Sequence, residues 1–194
     1  CQSCIYDLGY GSATVRPDSE MGYAACEKAL AGGNPSSGSV GAGTGATVGK
    51  ICGMERAMKS GLGMYAVQLG ELRMAAVVAV NALGDIFDSS TGRKIAGLRT
   101  EDGTAFSDSC EELWKMGQRE NLFTGNTTIG AVITNGKFNK AQMNKIASMT
   151  RNAYARCINP VGTMADGDSI YAASAGEVEA DLNVAGTLAA YVME

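Results

Sequence analysis

The sequence predicts an α+β domain in which helices pack on a sheet. Three observations carry that expectation. Apolar residues at helical spacing lie towards both ends of the chain, short strand-like runs fill its middle, and polar or Gly-rich stretches separate them. The 194 residues are enough to enclose a core as a single domain.

The elements follow in order. Asp18 and Ser19 come after Pro17 and precede the periodic Met21, Ala24, Ala25, Ala29 and Leu30, so a capped helix is expected to end at Gly32-Gly33. Residues 34–49, rich in Gly, Ser and Thr, read as a loop leading into a strand near 46–48. Strands over 64–69 and 74–81 are joined by a Gly70-Glu71 turn, and 85–88 and 94–98 make a second pair turned at 89–92. A polar loop over 100–109 leads to a short helix over 110–116. A strand over 125–134 begins with polar residues. Asn139 then opens a helix through Cys157 with Met143, Ile146, Ala147, Thr150 and Tyr154 on one face, and Asn159-Pro160 stops it. A short strand over 169–173 and a helix over 177–193 complete the chain, and no internal repeat is evident. The chain opens without methionine in strand-like Cys4-Ile5-Tyr6-Asp7-Leu8, as expected of a fragment or processed piece.

Composition excludes whole mechanisms. Sixteen basic and twenty acidic residues give a net charge of -4 with no basic block, which argues against binding nucleic acid through phosphates. No apolar run reaches the roughly 18 residues of a membrane span, and no signal-peptide pattern opens the chain. There is no histidine. Ser-His-Asp and Cys-His catalysis and histidine-built zinc sites are therefore absent, and a base must come from a carboxylate, lysine, tyrosine, cysteine or terminal amine. Six scattered cysteines read as reduced and mostly buried; Cys1-Gln-Ser-Cys4 has redox or half-zinc spacing, but no second such pair follows. No metal or cofactor is expected.

Several runs carry possible chemistry. The stretch 41–50 is glycine-rich, but Thr44, Ala46 and Ile51 stand where a phosphate loop or dinucleotide fingerprint needs other residues. It is either a connector or the wall of a cleft to which Lys50 adds a positive charge. Gly125-Asn126-Thr127-Thr128 is either an ordinary loop-to-strand junction or a cleavage site. A cut before Thr127 would place an α-amine with a pKa of about 8 within reach of that residue's own Oγ. Asp166-Gly167-Asp168 is a turn, or a carboxylate pair able to hold an ammonium or orient proton transfer; the remaining calcium-loop ligands are missing. Asn81, at the end of an apolar run, is a strand-end cap or a donor aimed at an oxyanion, and Tyr6 is a core phenol or a cleft residue.

Together, in this order, these runs resemble the self-processing L-aminopeptidase/D-esterase family, which includes β-peptidyl aminopeptidases and nylon-oligomer hydrolases. The matching residues are Val15-Arg16-Pro17-Asp18, Glu20-Met21-Gly22-Tyr23-Ala24-Ala25, the run from Val40 to Lys50, Gly53-Met54-Glu55-Arg56-Ala57, Val80-Asn81-Ala82-Leu83-Gly84, Gly125-Asn126-Thr127-Thr128-Ile129-Gly130 and Asp166-Gly167-Asp168.

The resemblance implies an αββα four-layer sandwich, similar to N-terminal-nucleophile hydrolases with different connectivity, of which the N-terminal part is absent from this chain. It implies one catalytic domain over 1–194, cleaved between Asn126 and Thr127 into an α part (1–126) and a β subunit (127–194). Thr127 would be nucleophile and, through its freed amine, base. Lys50 would tune it, Asn81 would donate to the oxyanion, Asp166 and Asp168 would form a supporting acidic network, and Tyr6 would line the cleft. Small peptides, amino-acid amides or esters would be substrates, with nylon-type ω-amide oligomers as the rival. A cytoplasmic homo-oligomer of processed units, with no nucleic-acid or membrane partner, is the expected state. A binding or assembly module on the same fold is the non-enzymatic alternative. Many members carry histidine where Gly162 stands, so the departure bears on substrate preference.

Overall fold

The computed structural model describes residues 3–32, 36–117 and 125–194. Its centre is a four-stranded sheet. Strands β3 (Leu62–Leu69) and β4 (Leu72–Ala79) form a hairpin whose turn is made by Gly70 at φ 60°. Strand β7 (Ile129–Gly136) pairs antiparallel with β4, and β9 (Ser169–Val178) pairs parallel with β7 in the register Ile129↔Ser169, giving the order β3-β4-β7-β9. A parallel neighbour needs a crossover, and helix α3 (Lys140–Cys157) supplies it.

Asn139 accepts from the Gln142 N–H while the Gln142 side chain accepts from the Asn139 N–H, a reciprocal cap that fixes the start of α3. Its buried residues, Met143, Ile146, Thr150, Ala153 and Tyr154, lie along one face. They pack with helix α4 (Leu182–Met193) against Met74, Ala76 and Val132 of the sheet. The opposite face, through Ala75, Val77 and the half-exposed Ile133, carries no helix among the described residues. Two small sheets lie beside the main one: β1 (Thr47–Val48) with β2 (Met58–Lys59), and β6 (Lys94–Ala96) with β5 (Asp85–Phe87) and β8 (Ile158–Asn159). Helix α1 (Ser19–Leu30) buries none of its residues, and α2 (Ser109–Met116) precedes residues outside the described set.

The α+β expectation agrees with this architecture, and several local expectations need correction. The last helix starts at Leu182 rather than 177, because β9 continues to Val178 opposite Gly136 and Asp181 caps the first turn through the Asn183 and Val184 N–H groups. Residues 4–8 form no strand; the Tyr6 carbonyl accepts instead from the Asn81 side chain. The cysteines are not mostly buried: Cys4 and Cys26 are exposed, Cys52, Cys110 and Cys157 are intermediate, and Cys1 lies outside the described residues. The Gly33 end of the first helix lies outside them as well. The two-residue strands β2 and β8 are too short to carry a periodicity.

Candidate active site

The site forms where the N-terminal end of β7 meets the segment before β9 and the loop after β1. Gly49 and Lys50 donate main-chain hydrogen bonds to Gly84 O (3.0 Å) and Leu83 O (2.9 Å), which docks the loop beside the end of β4. Gly49 has φ 67°, and a Cβ there would lie 2.0 Å from Leu98 N, so only glycine fits this contact. The Lys50 side chain is thereby carried inward and is 2% exposed.

Lys50 Nζ donates to Asn81 Oδ1 at 2.7 Å and to Asn81 O at 3.1 Å. Burial lowers its pKa to about 8, against the opposing pull of Asp166, Asp168 and Asp7. A neutral amine keeps both hydrogen bonds with two of its hydrogens and leaves a lone pair to accept a proton. Asn81 is fully buried: Oδ1 also accepts from Thr47 N at 3.1 Å, and Nδ2 donates to Tyr6 O at 3.0 Å. One of its two amide N–H groups is therefore taken up by the N-terminal segment.

Thr127 N donates to the same Asn81 O at 3.0 Å, so the Lys50 amine and the Thr127 nitrogen converge on one oxygen. Thr127 Oγ1 donates to Asn126 O at 2.6 Å, and Gly167 N donates to that carbonyl at 2.8 Å. The pairing of Asn126 with Asp166 extends the β7–β9 register backward, so the Asn126–Thr127 peptide bond lies beside the last parallel rung. Asn126 and Thr128 are buried on either side of half-buried Thr127.

The two aspartates differ in role. Asp168 Oδ1 accepts from Thr128 N at 2.7 Å and fixes the residue after Thr127. Desolvation pushes its pKa up, and the Thr128 hydrogen bond and Arg151 pull the other way. Asp166 Oδ2 accepts from the N–H and the hydroxyl of Thr163, both at 2.8 Å, which closes the turn before Gly167. Its influence on Lys50 is through charge. Tyr6 reaches the site by its carbonyl, and it lines, with Asp7, Thr47 and Lys50, a cavity of about 10 Å³, the size of one water. The structure thus brings together Thr127, Asn81, Lys50, Asp168, Asn126 and Tyr6, with Asp166 one turn behind.

Sequence reasoning missed Gly167 and Thr47. A Cβ at Gly167 would lie 2.8 Å from Thr127 Oγ1, and Thr47 orients Asn81. The Asp-Gly-Asp pattern was a signal for the glycine, but nothing local tells which side chain it must clear. Among the described residues no group of His, Cys, Asp and Glu could hold a metal ion, and no helix is long and apolar enough to cross a membrane.

Several known proteins are similar to this chain. An uncharacterised aminopeptidase of Mycobacterium leprae is 33% identical over 184 residues, covering 91% of this chain and 49% of the relative. A 6-aminohexanoate-oligomer endohydrolase of Kocuria is 32% identical over 182 residues, covering 90% and 49%. The chain therefore spans about half the length of these relatives. Among solved structures, the L-aminopeptidase D-Ala-esterase/amidase of Ochrobactrum anthropi, described as a variant of the Ntn-hydrolase fold, superposes with a TM-score of 0.56 at 17% identity over 88% of this chain and 47% of the other. A β-aminopeptidase of Burkholderia gives 0.55 at 17% identity over 88% and 48%, and the fold is shared with both. The profile of Peptidase family S58 matches residues 3–193, and the chain belongs to that family.

Proposed function

We propose that the protein is a self-processed amide hydrolase whose nucleophile is Thr127 at a newly made N-terminus. The observation that carries this reading is the convergence of Lys50 Nζ and Thr127 N on Asn81 O beside the Asn126 carbonyl. In the uncut chain the Thr127 nitrogen belongs to a peptide bond and is no base. A lysine with a pKa of about 8 is about a quarter neutral at pH 7.5, enough to take the Oγ proton. Attack of Oγ on the Asn126 carbonyl carbon forms an ester as the C–N bond breaks, and the proton passes to the departing Thr127 nitrogen. Water then hydrolyses the ester.

The freed α-amine, donating to Asn81 O next to Lys50, becomes the base for turnover. Thr127 Oγ attacks the substrate carbonyl, the amine carries the proton to the leaving group, and water releases the acyl group. Small peptides, amino-acid amides or esters are the substrates we assign, in a cleft whose nearby charges are Asp7, Asp166 and Asp168. Oligomers of processed units are part of the same reading. The 32% identity to an aminohexanoate-oligomer endohydrolase supports ω-amide oligomers as a second substrate class.

Intact-mass measurement of the full-length protein tests the reading. Two fragments meeting at Asn126/Thr127 are expected, with a single uncut and inactive chain for Thr127→Ala. A wild-type chain that stays whole while hydrolysing aminoacyl amides would overturn it. Parallel assays with aminoacyl amides and aminohexanoate oligomers separate the two substrate classes.

A further inference from the structure

Any attack on the Asn126 carbonyl pushes an electron pair onto its oxygen, and that negative charge must be met by a donor already in place. The residue expected for this task, Asn81, has one of its two amide N–H groups on Tyr6 O at 3.0 Å, and its oxygens accept from Thr47 N, Lys50 Nζ and Thr127 N. Asn126 O instead receives two hydrogen bonds, from Thr127 Oγ1 at 2.6 Å and from Gly167 N at 2.8 Å. The first is lost when Oγ gives up its proton and becomes the nucleophile. The second stays, because it is held by the parallel pairing of 126 with 166 at the start of the β7–β9 ladder.

We propose that the main-chain N–H of Gly167 is the oxyanion donor for cleavage of the Asn126–Thr127 bond and, once Asn126 has departed, for the carbonyl of the substrate. This rests on the reading of Thr127 as a self-releasing nucleophile. In the first reaction the C–Oγ bond forms, the carbonyl electron pair moves onto Asn126 O against the Gly167 N–H, the Oγ proton passes to neutral Lys50 and from there to the Thr127 nitrogen, and the C–N bond breaks. Water completes the hydrolysis to a carboxylate and a free amine. The cut removes Asn126 O from the ladder and leaves the N–H without its partner at the place where a substrate carbonyl must sit to meet Thr127.

The glycine is required for a second reason. A Cβ at 167 would stand 2.8 Å from Thr127 Oγ1, so a side chain there displaces the nucleophile. Gly167 is also solvent-exposed, which keeps the donor reachable by an incoming substrate. The flanking aspartates hold it from both sides: Asp166 closes the turn through Thr163, and Asp168 anchors Thr128.

The test replaces Gly167 by glycolic acid in cell-free translation of the full-length protein, which exchanges the N–H for an ester oxygen and keeps the shape. Self-cleavage followed by intact mass is expected to slow about 10²- to 10³-fold, the usual effect of removing one oxyanion donor, with the circular dichroism spectrum unchanged. If wild type cleaves and the folded ester variant cleaves within threefold of it, the proposal is overturned. If wild type itself never cleaves, the reading of Thr127 fails instead. Should the ester variant not fold, isotope-edited infrared spectroscopy of a ¹³C-labelled Asn126 carbonyl decides, in Thr127→Ala with Gly167 intact. A band lowered by a strong hydrogen bond is expected, and the frequency of an unbonded carbonyl overturns the proposal.

Discussion

At Lys50 the deciding quantity is proton affinity. Burial lowers the pKa to about 8, and in the proposed self-cleavage the deprotonated form is the base, so the rate should rise with pH through about 8 and level above it. Timed gels or intact mass across pH 6–10 give that profile. Lys50→Arg, charged at every pH in this range, should leave the chain uncut. Asp168 raises the lysine's pKa through its charge. Asp168→Asn, which can still accept from Thr128 N, should therefore move the limb to lower pH. A limb that stays fixed would show that Asp168 does not act on Lys50. The need for some non-histidine base was legible in the sequence from the absence of imidazole. Which candidate had lost its water, and so its proton affinity, was not, because desolvation depends on Asn81 and Tyr6 packing around position 50 from distant parts of the chain.

At the scale of elements, the site depends on how β4, β5 and the loop after β1 are pinned. Buried Asp85 bonds Lys94 Nζ (2.6 Å), Leu98 N (2.7 Å) and the N–H and hydroxyl of Ser109 (2.9 and 2.8 Å), tying β5 to β6 and α2. Asp85→Ala strands that lysine and should cost about 3–5 kcal/mol in urea unfolding. In α3, Ile146 is fully buried against the sheet, and Ile146→Ala should cost about 2–5 kcal/mol by the same measurement. The helix itself was readable from spacing and from Asn139, since 18 residues hold several periods. The end of β9 and the two-residue strands were not, because their pairing is set by partners far away in sequence.

Over the whole molecule, the N-terminal segment is a third wall of the site. Ser3 Oγ lies 2.6 Å from Tyr171 OH, and Tyr6 O binds Asn81, so residues 3–6 bridge β9 and the end of β4. Removing residues 1–8 opens the cavity beside Lys50. Rehydration relieves part of the desolvation that holds this lysine's pKa down, against the loss of Asp7, the smallest of its charge influences, so its pKa should climb towards the ordinary lysine value. The pH limb of self-cleavage in such a truncation should move up by a measurable fraction of a unit; an unmoved limb would mean that the segment does not seal the lysine.

The sequence by itself determined which chemistry was open. It held no histidine, a threonine after Asn126 at a strand start, and helices and strands long enough to be read from their periods, because these depend on residue identity and local spacing. Tertiary structure decided which atoms meet: the inward turn of Lys50, an Asn81 amide N–H on Tyr6 O, and the Gly167 N–H on the Asn126 carbonyl. Those follow from strand register and burial, which arise only when segments 31 to 75 residues apart are brought into contact.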